Sequence, residues 1–252
     1  MTRARVLASL ARSAALAIAL SSFSWFFLGS STHQAQASTP GSPPCPLDQP
    51  CRILPLGDSI TWGIGSDGGY RVRLFQEACA AGKHITFVGA FANGPELVAG
   101  RDFPRQHGGV SGWTIDQVAT TLSEPEASHT PHIVLLQVGT NDVYAHSTPT
   151  AMADRLERLL DRLKRTVPTA LVVVAQITPL RDRALSDLAV AYNRELARRV
   201  QTRRARGERL LLVDQFNTFP VELLSSDGVH PTQAGYERIA ETWYASVGSL
   251  FR

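Results

Sequence analysis

Five short apolar runs constrain this chain more than any other feature. They are Ile53-Leu54-Pro55-Leu56, Ile85-Thr86-Phe87-Val88, Ile133-Val134-Leu135-Leu136, Leu171-Val172-Val173-Val174 and Leu210-Leu211-Leu212-Val213. Each is rich in leucine or β-branched residues and none alternates with polar ones. A strand without a polar face is buried on both faces, as in a parallel sheet covered by helices. The intervals supply those helices. Tyr70, Leu74 and Ala78 fall on one helical face, as do Met152, Leu156, Leu159, Leu160 and Leu163. Leu188, Tyr192 and Leu196 mark a third helix, and Ile239, Ala240 and Trp243 a terminal one. Strand followed by helix, repeated, predicts an α/β fold: a three-layer αβα sandwich on a mainly parallel sheet of about five strands. In such sheets ligands bind beyond the carboxyl ends of the strands.

The first residues read as an export signal. Arg3, Arg5 and Arg12 precede an apolar stretch from about Ala14 to Leu28, and Ala35-Gln36-Ala37 is a small-x-small cleavage site. Ser21, Ser22 and Ser24 interrupt the apolar run, which favours a cleaved signal over residues 1–37 against a membrane anchor. The expected product is secreted and extracellular, with no stable membrane association. Residues 38–50, rich in Pro and Ser, read as a flexible lead-in to one domain over 51–252.

The chain holds 25 Lys+Arg against 22 Asp+Glu; removing the three signal arginines leaves 22 against 22. That balance argues against nucleic acid as a partner. The arginines from Arg194 to Arg206 read as a solvated helix face. Export implies an oxidising environment, so Cys45 and Cys51, flanking a short Pro-containing loop, are expected to form a disulfide. Cys79 reads as a buried free thiol. No Cys/His spacing resembles a zinc site, no acidic loop an EF-hand, and no glycine-rich loop a phosphate cradle. Neither a metal nor a cofactor is called for.

The chemistry-bearing residues follow the strands. Ser59, in Gly57-Asp58-Ser59-Ile60, comes just after the first run, and Asn141, in Gly139-Thr140-Asn141-Asp142, just after the third. Asp227 precedes His230 by three residues in a Gly- and Pro-containing loop, so the carboxylate can receive Nδ1–H and leave Nε2 free. A serine hydroxyl needs such a base to become a nucleophile. Ser59 would otherwise be a helix N-cap, and Ser111 is a rival nucleophile. Gly-x-Ser-x-Gly is absent. Asn141 suits an oxyanion-hole amide or, alternatively, a turn after the strand. The backbone N–H groups of Gly112 and Ser59 are the other candidate donors, and Asp142 is expected to brace its loop. Trp62, Tyr70, Trp113 and Tyr144 flank these blocks, suited either to stacking on sugar rings or to packing the loops.

Gly57-Asp58-Ser59-Ile60, Gly112, Gly139-Thr140-Asn141-Asp142 and Asp227-Gly228-Val229-His230 resemble, in order, the four blocks of the SGNH (GDSL-type) hydrolases. Ile60-Thr61-Trp62-Gly63, Gly69-Tyr70-Arg71, Phe87-Val88-Gly89, Gly112-Trp113-Thr114-Ile115 and Leu136 to Val143 are similar to carbohydrate esterase family three, the secreted acetylxylan esterases. Where those relatives carry His-x-Gly-His, this chain reads His107-Gly108-Gly109-Val110. The resemblance implies a flavodoxin-like domain. It implies Ser59 as nucleophile, Asp227 and His230 as the rest of a triad, and Ser59, Gly112 and Asn141 around the oxyanion. It implies an acetylated polysaccharide, foremost xylan, or a small acyl ester as substrate. The competing expectations are a lipase or lysophospholipase on the same scaffold, a non-catalytic carbohydrate-binding domain, and a receiver or cofactor domain. The oligomeric state is open.

Overall fold

The computed structural model describes residues 43–122 and 130–252, so the expected signal over 1–37 lies outside the described residues. The five apolar runs become β1 (Cys51–Gly57), β2 (Ile85–Phe87), β7 (Ile133–Gln137), β8 (Leu171–Ala175) and β9 (Leu210–Val213). All five are parallel, in the order β2-β1-β7-β8-β9. This is the strand order of a flavodoxin-like sheet.

Burial on both faces explains why the runs do not alternate. Ile53, Ile133, Leu135, Val173 and Val213 point to one face, where helices Tyr70–Ala80 and Gln233–Val247 cover them. Leu54, Leu56, Val134, Leu136, Val172 and Val174 point to the other, beneath helices Ile115–Thr121, Pro149–Thr166 and Arg183–Ala205. The expected layers and helices are therefore present.

The sheet has seven strands rather than about five. The additions are β3 (Phe91–Ala92) and β6 (Gln106–Gly109), with β4 (Leu97–Val98) and β5 (Arg101–Asp102) forming a separate hairpin between them. Gln106-His107-Gly108-Gly109 has no apolar run to announce a strand. β1 pairs with β2 through Cys51–Ile53 and with β6 through Leu56–Gly57, so two strands share one edge in succession. Pro55 lies at the changeover. Cys51 N donates to His84 O, Val88 N to Ile53 O and Val110 N to Gly57 O, so alternate peptide groups of β1 face this edge. By that alternation Pro55, which has no N–H, faces it where neither neighbour is in register. A proline is thereby accommodated inside a central strand.

Two further expectations are corrected. The lead-in is anchored before residue 51: Cys45 is buried and disulfide-bonded to Cys51. The arginine cluster is in part a seam between helices, not a solvated face. Arg199 pairs with Asp154 at 2.8 Å and Glu157 at 2.5 Å, while buried Arg203 pairs with Asp161 at 2.7 Å and Glu208 at 2.8 Å. Cys79 is a half-buried free thiol. No helix among the described residues is long and apolar enough to cross a membrane.

The disulfide closes a short ring, so its entropic contribution is modest. Replacing both Cys45 and Cys51 by serine should cost about 2 kcal/mol in chemical denaturation; an unchanged midpoint would show that the bridge adds nothing to stability.

Candidate active site

Three loops meet at the carboxyl ends of neighbouring strands, and a fourth crosses to them from the far end of the chain. The first follows β1. Gly57 lies against β7 so closely that a Cβ there would stand 2.2 Å from Gln137 O and 2.6 Å from Thr61 Oγ1. No side chain fits. Asp58 caps the one-turn helix Ser59–Trp62, its Oδ1 accepting from Ile60 N at 3.0 Å. Ser59 is thus the first helical residue, held on a fixed turn and 5% exposed.

His230 arrives from 171 residues away. Its Nε2 lies 2.9 Å from Ser59 Oγ and its Nδ1 2.7 Å from Asp227 Oδ2. With the ring proton on Nδ1, Asp227 accepts it and Nε2 is a free acceptor for the serine hydroxyl. Asp227 Oδ1 also accepts from Ser225 Oγ at 2.7 Å and from Val229 N and His230 N at 2.9 Å each. Partial burial opposes its charge. The bonds from His230, the two backbone amides and Ser225 outweigh that and hold the carboxyl well below the usual carboxylate range.

Asp58 has the opposite environment. It is 1% exposed, and Oδ2 has no hydrogen-bond partner among the described residues. Burial raises its pKa from 3.8 to about 6, against the opposing pull of the Ile60 amide and His230.

The second and third loops are knitted to each other. Asn141 lies in the short helix Thr140–Tyr144 and donates from Nδ2 to Trp113 O at 2.8 Å, which leaves one amide hydrogen free. Buried Asp142 accepts from Ile115 N at 2.9 Å and from Arg155 at 2.7 Å, so it braces its loop, as expected. Gly112 is exposed with a φ of 80°, and its α-carbon borders open space.

The aromatic candidates separate. Tyr144 is 42% exposed, and Trp113 is half-buried against the core. Trp62 is half-buried with its ring edge-on to His107 at 5.4 Å. Tyr70 is corrected outright. It is fully buried, its hydroxyl lies 3.5 Å from Thr61 Oγ1, and its ring is 6.1 Å from that of Trp243, so it cannot stack on a substrate. Arg155 and Arg181, both bonded to the site's loops, carried no sequence signal, since a surface arginine on a helix or loop is unremarked by periodicity.

A family model described as the GDSL-like Lipase/Acylhydrolase family matches residues 56–238. The chain belongs to that family. This GDSL-like domain superposes on a family 3 carbohydrate esterase of Clostridium thermocellum with a TM-score of 0.70, at 30% identity, over 80% of this chain and 98% of that one. A family 3 carbohydrate esterase from Talaromyces cellulolyticus has the same fold, with a TM-score of 0.69 at 24% identity over 79% and 97% of the two chains. A multidomain esterase of Ruminococcus flavefaciens is 28% identical over 225 residues, 78% of this chain. The chain spans 28% and 56% of the lengths of two curated relatives that it matches. The resemblance read from the four blocks is borne out for family and fold, and the domain is that of a carboxylic ester hydrolase.

The buried carboxyl of Asp58 makes a measurable claim. A carboxyl whose pKa is higher folded than unfolded contributes stability that is present below the unfolded pKa and is lost as pH rises through the folded one. Asp58→Asn keeps the cap oxygen but cannot ionise. Its stability relative to wild type should therefore increase by roughly 3 kcal/mol between about pH 4 and pH 6 and then level off. Denaturation across that range measures it, and parallel curves would show that Asp58 is ionised at little cost.

Proposed function

We propose that this chain is a secreted serine esterase that removes short acyl groups, acetyl foremost, from carbohydrate, with acetylated xylan the leading substrate. The observation that carries the reading is the unbroken run from Asp227 Oδ2 through His230 to Ser59 Oγ, with steps of 2.7 and 2.9 Å. Geometry of that kind is what general-base activation of a hydroxyl requires. The acetylated-carbohydrate substrate is supported by the similarity to family 3 carbohydrate esterases and by the half-buried Trp113 and exposed Tyr144 near the site. Export is supported by the basic and then apolar residues at the start of the chain and by the disulfide.

In the proposed reaction His230 Nε2 takes the Ser59 proton as Oγ attacks the ester carbonyl. The resulting oxyanion is held by the free amide hydrogen of Asn141 and the backbone N–H groups of Gly112 and Ser59. Asp227 stabilises the imidazolium without itself becoming protonated. The imidazolium then protonates the departing sugar oxygen, and the carbon–oxygen ester bond breaks. Water, deprotonated by the same imidazole, attacks the acyl-serine; acetate leaves and Ser59 regains its proton.

Ser59→Ala should abolish hydrolysis of 4-nitrophenyl acetate and labelling by an organophosphonate. Wild-type turnover in that variant would remove Ser59 from the mechanism. Asn141→Ala should lower kcat by roughly 10²–10³ with the labelling site intact. Acetate release from acetylated xylan, compared with turnover of acetate and octanoate esters, separates the carbohydrate reading from a lipase one. A preference for octanoate with no release from xylan would favour the lipase.

A further inference from the structure

Asp227 and His230 sit on a loop that is organised from within. Ser225 N donates to His230 O at 2.7 Å and Gly228 N to Ser225 O at 3.0 Å, while Leu224 and Pro231 form an antiparallel bridge across the base. Those bonds, with the three that Asp227 Oδ1 accepts, shape the loop but do not attach it to the strand ends that carry the rest of the site.

Leu224 and Val229 pack the loop against the core, and a polar attachment comes from Arg181, in the segment after β8. Its backbone N–H donates to Gly228 O at 2.9 Å, and its guanidinium Nη2 donates to Leu224 O at 2.9 Å. The two carbonyls bracket Asp227 in the chain. Gly228 has a φ of 73°, and a Cβ there would stand 2.8 Å from Arg181 Cβ, so the two segments are in direct contact. The segment behind Arg181 is itself fixed. Buried Asn193 accepts from Ile177 N and donates to Ile177 O, both at 3.0 Å. Asp182 caps helix Arg183–Ala205 through Leu185 N at 2.9 Å. The segment 177–182 is thus fastened to a long packed helix at both ends, and Arg181 within it bonds the loop that carries the imidazole.

We propose that Arg181 is a positioning residue for the relay, holding the Asp227–His230 loop where Nε2 meets the Ser59 hydroxyl. This rests on the reading of Ser59, His230 and Asp227 as the reacting groups. Proton transfer depends on distance to within a fraction of an ångström, so a loop released from one of two anchors loses rate before it loses fold. The arginine side chain is exposed, and its loss should affect overall stability little.

The test is a double-mutant cycle on 4-nitrophenyl acetate hydrolysis by the full chain, using Arg181→Ala, Asp227→Asn and the pair. Arg181→Ala should lower kcat roughly tenfold with KM nearly unchanged and the melting temperature preserved. Arg181→Lys, able to reach one carbonyl, should recover part of that loss. In the Asp227→Asn background the further loss should fall below about twofold, because the imidazole has already lost its orientation. Equal losses in both backgrounds would mean that Arg181 acts elsewhere and would overturn the proposal, as would wild-type kcat in Arg181→Ala. An Asp227→Asn variant with wild-type turnover would instead overturn the relay itself. Arg181→Met, which keeps the aliphatic stem, takes the same place in the cycle if the alanine variant does not fold.

Discussion

The site hangs from the edge of β1, where one neighbour replaces another. Had β2 continued alongside the whole of β1, the residues after it would lie beside Ser59. Instead β2 ends at Phe87, and β6 takes the edge at Leu56–Gly57. The residues delivered next to the nucleophile are therefore those of the 110–115 loop, fastened by the bond from Val110 N to Gly57 O at 3.1 Å. β7, on the opposite edge, delivers Asn141. The serine turn consequently has a strand on each side whose following loop carries a candidate oxyanion donor. Pro55 and Gly57 meet the two geometric demands of that arrangement: one needs no partner at the changeover, the other no room against β7.

Two aspartates flank the same imidazole, and their surroundings assign them different work. Asp58 precedes the nucleophile in sequence, yet its one bonded oxygen is spent on the helix cap and the other has no partner among the described residues. A sealed carboxyl of that kind resists ionisation and makes a poor partner for a proton carrier. Asp227 is nearer to solvent and receives four hydrogen bonds, one of them at Nδ1 of His230. Its charge is satisfied before any reaction begins, so it can stabilise an imidazolium without rearranging. Asp58 holds the turn and Asp227 holds the base.

Much of this was legible in the residues, for a physical reason that also marks where legibility stops. A doubly buried strand must be apolar throughout, so β1, β2, β7, β8 and β9 declared themselves. Ser59, Asn141, Asp227 and His230 stood out because polar groups right after such strands, or paired in a Gly/Pro loop, have few structural motives. β6 was hidden because His107, Gly108 and Gly109 serve close packing instead of apolar burial. Tyr70 stayed between its two readings because an aromatic beside a motif looks the same in sequence whether it faces a sugar or the core. Arg181 was invisible because it acts through two backbone carbonyls, and no side-chain partner in the sequence points to it.

The burial of Tyr70 has its own consequence for the relay. Ser59 belongs to the segment leading into helix Tyr70–Ala80, and His230 to the loop leading into helix Gln233–Val247. These two helices pack side by side on the same face of the sheet. Tyr70 stands between them, with its ring against Trp243 and its hydroxyl toward Thr61, two residues beyond the nucleophile. Tyr236 returns the contact, donating from its hydroxyl to Ile64 O at 2.8 Å. Tyr70 thus braces its own approach loop from within the interface and Tyr236 reaches that same loop from the other helix, so this packing acts together with the Arg181 bonds in setting the 2.9 Å between Ser59 and His230. A hydrogen bond between residues so far apart in the chain is weak support for its own geometry. A core contact that interdigitates at native density is strong support, because small displacements cost contacts on every side.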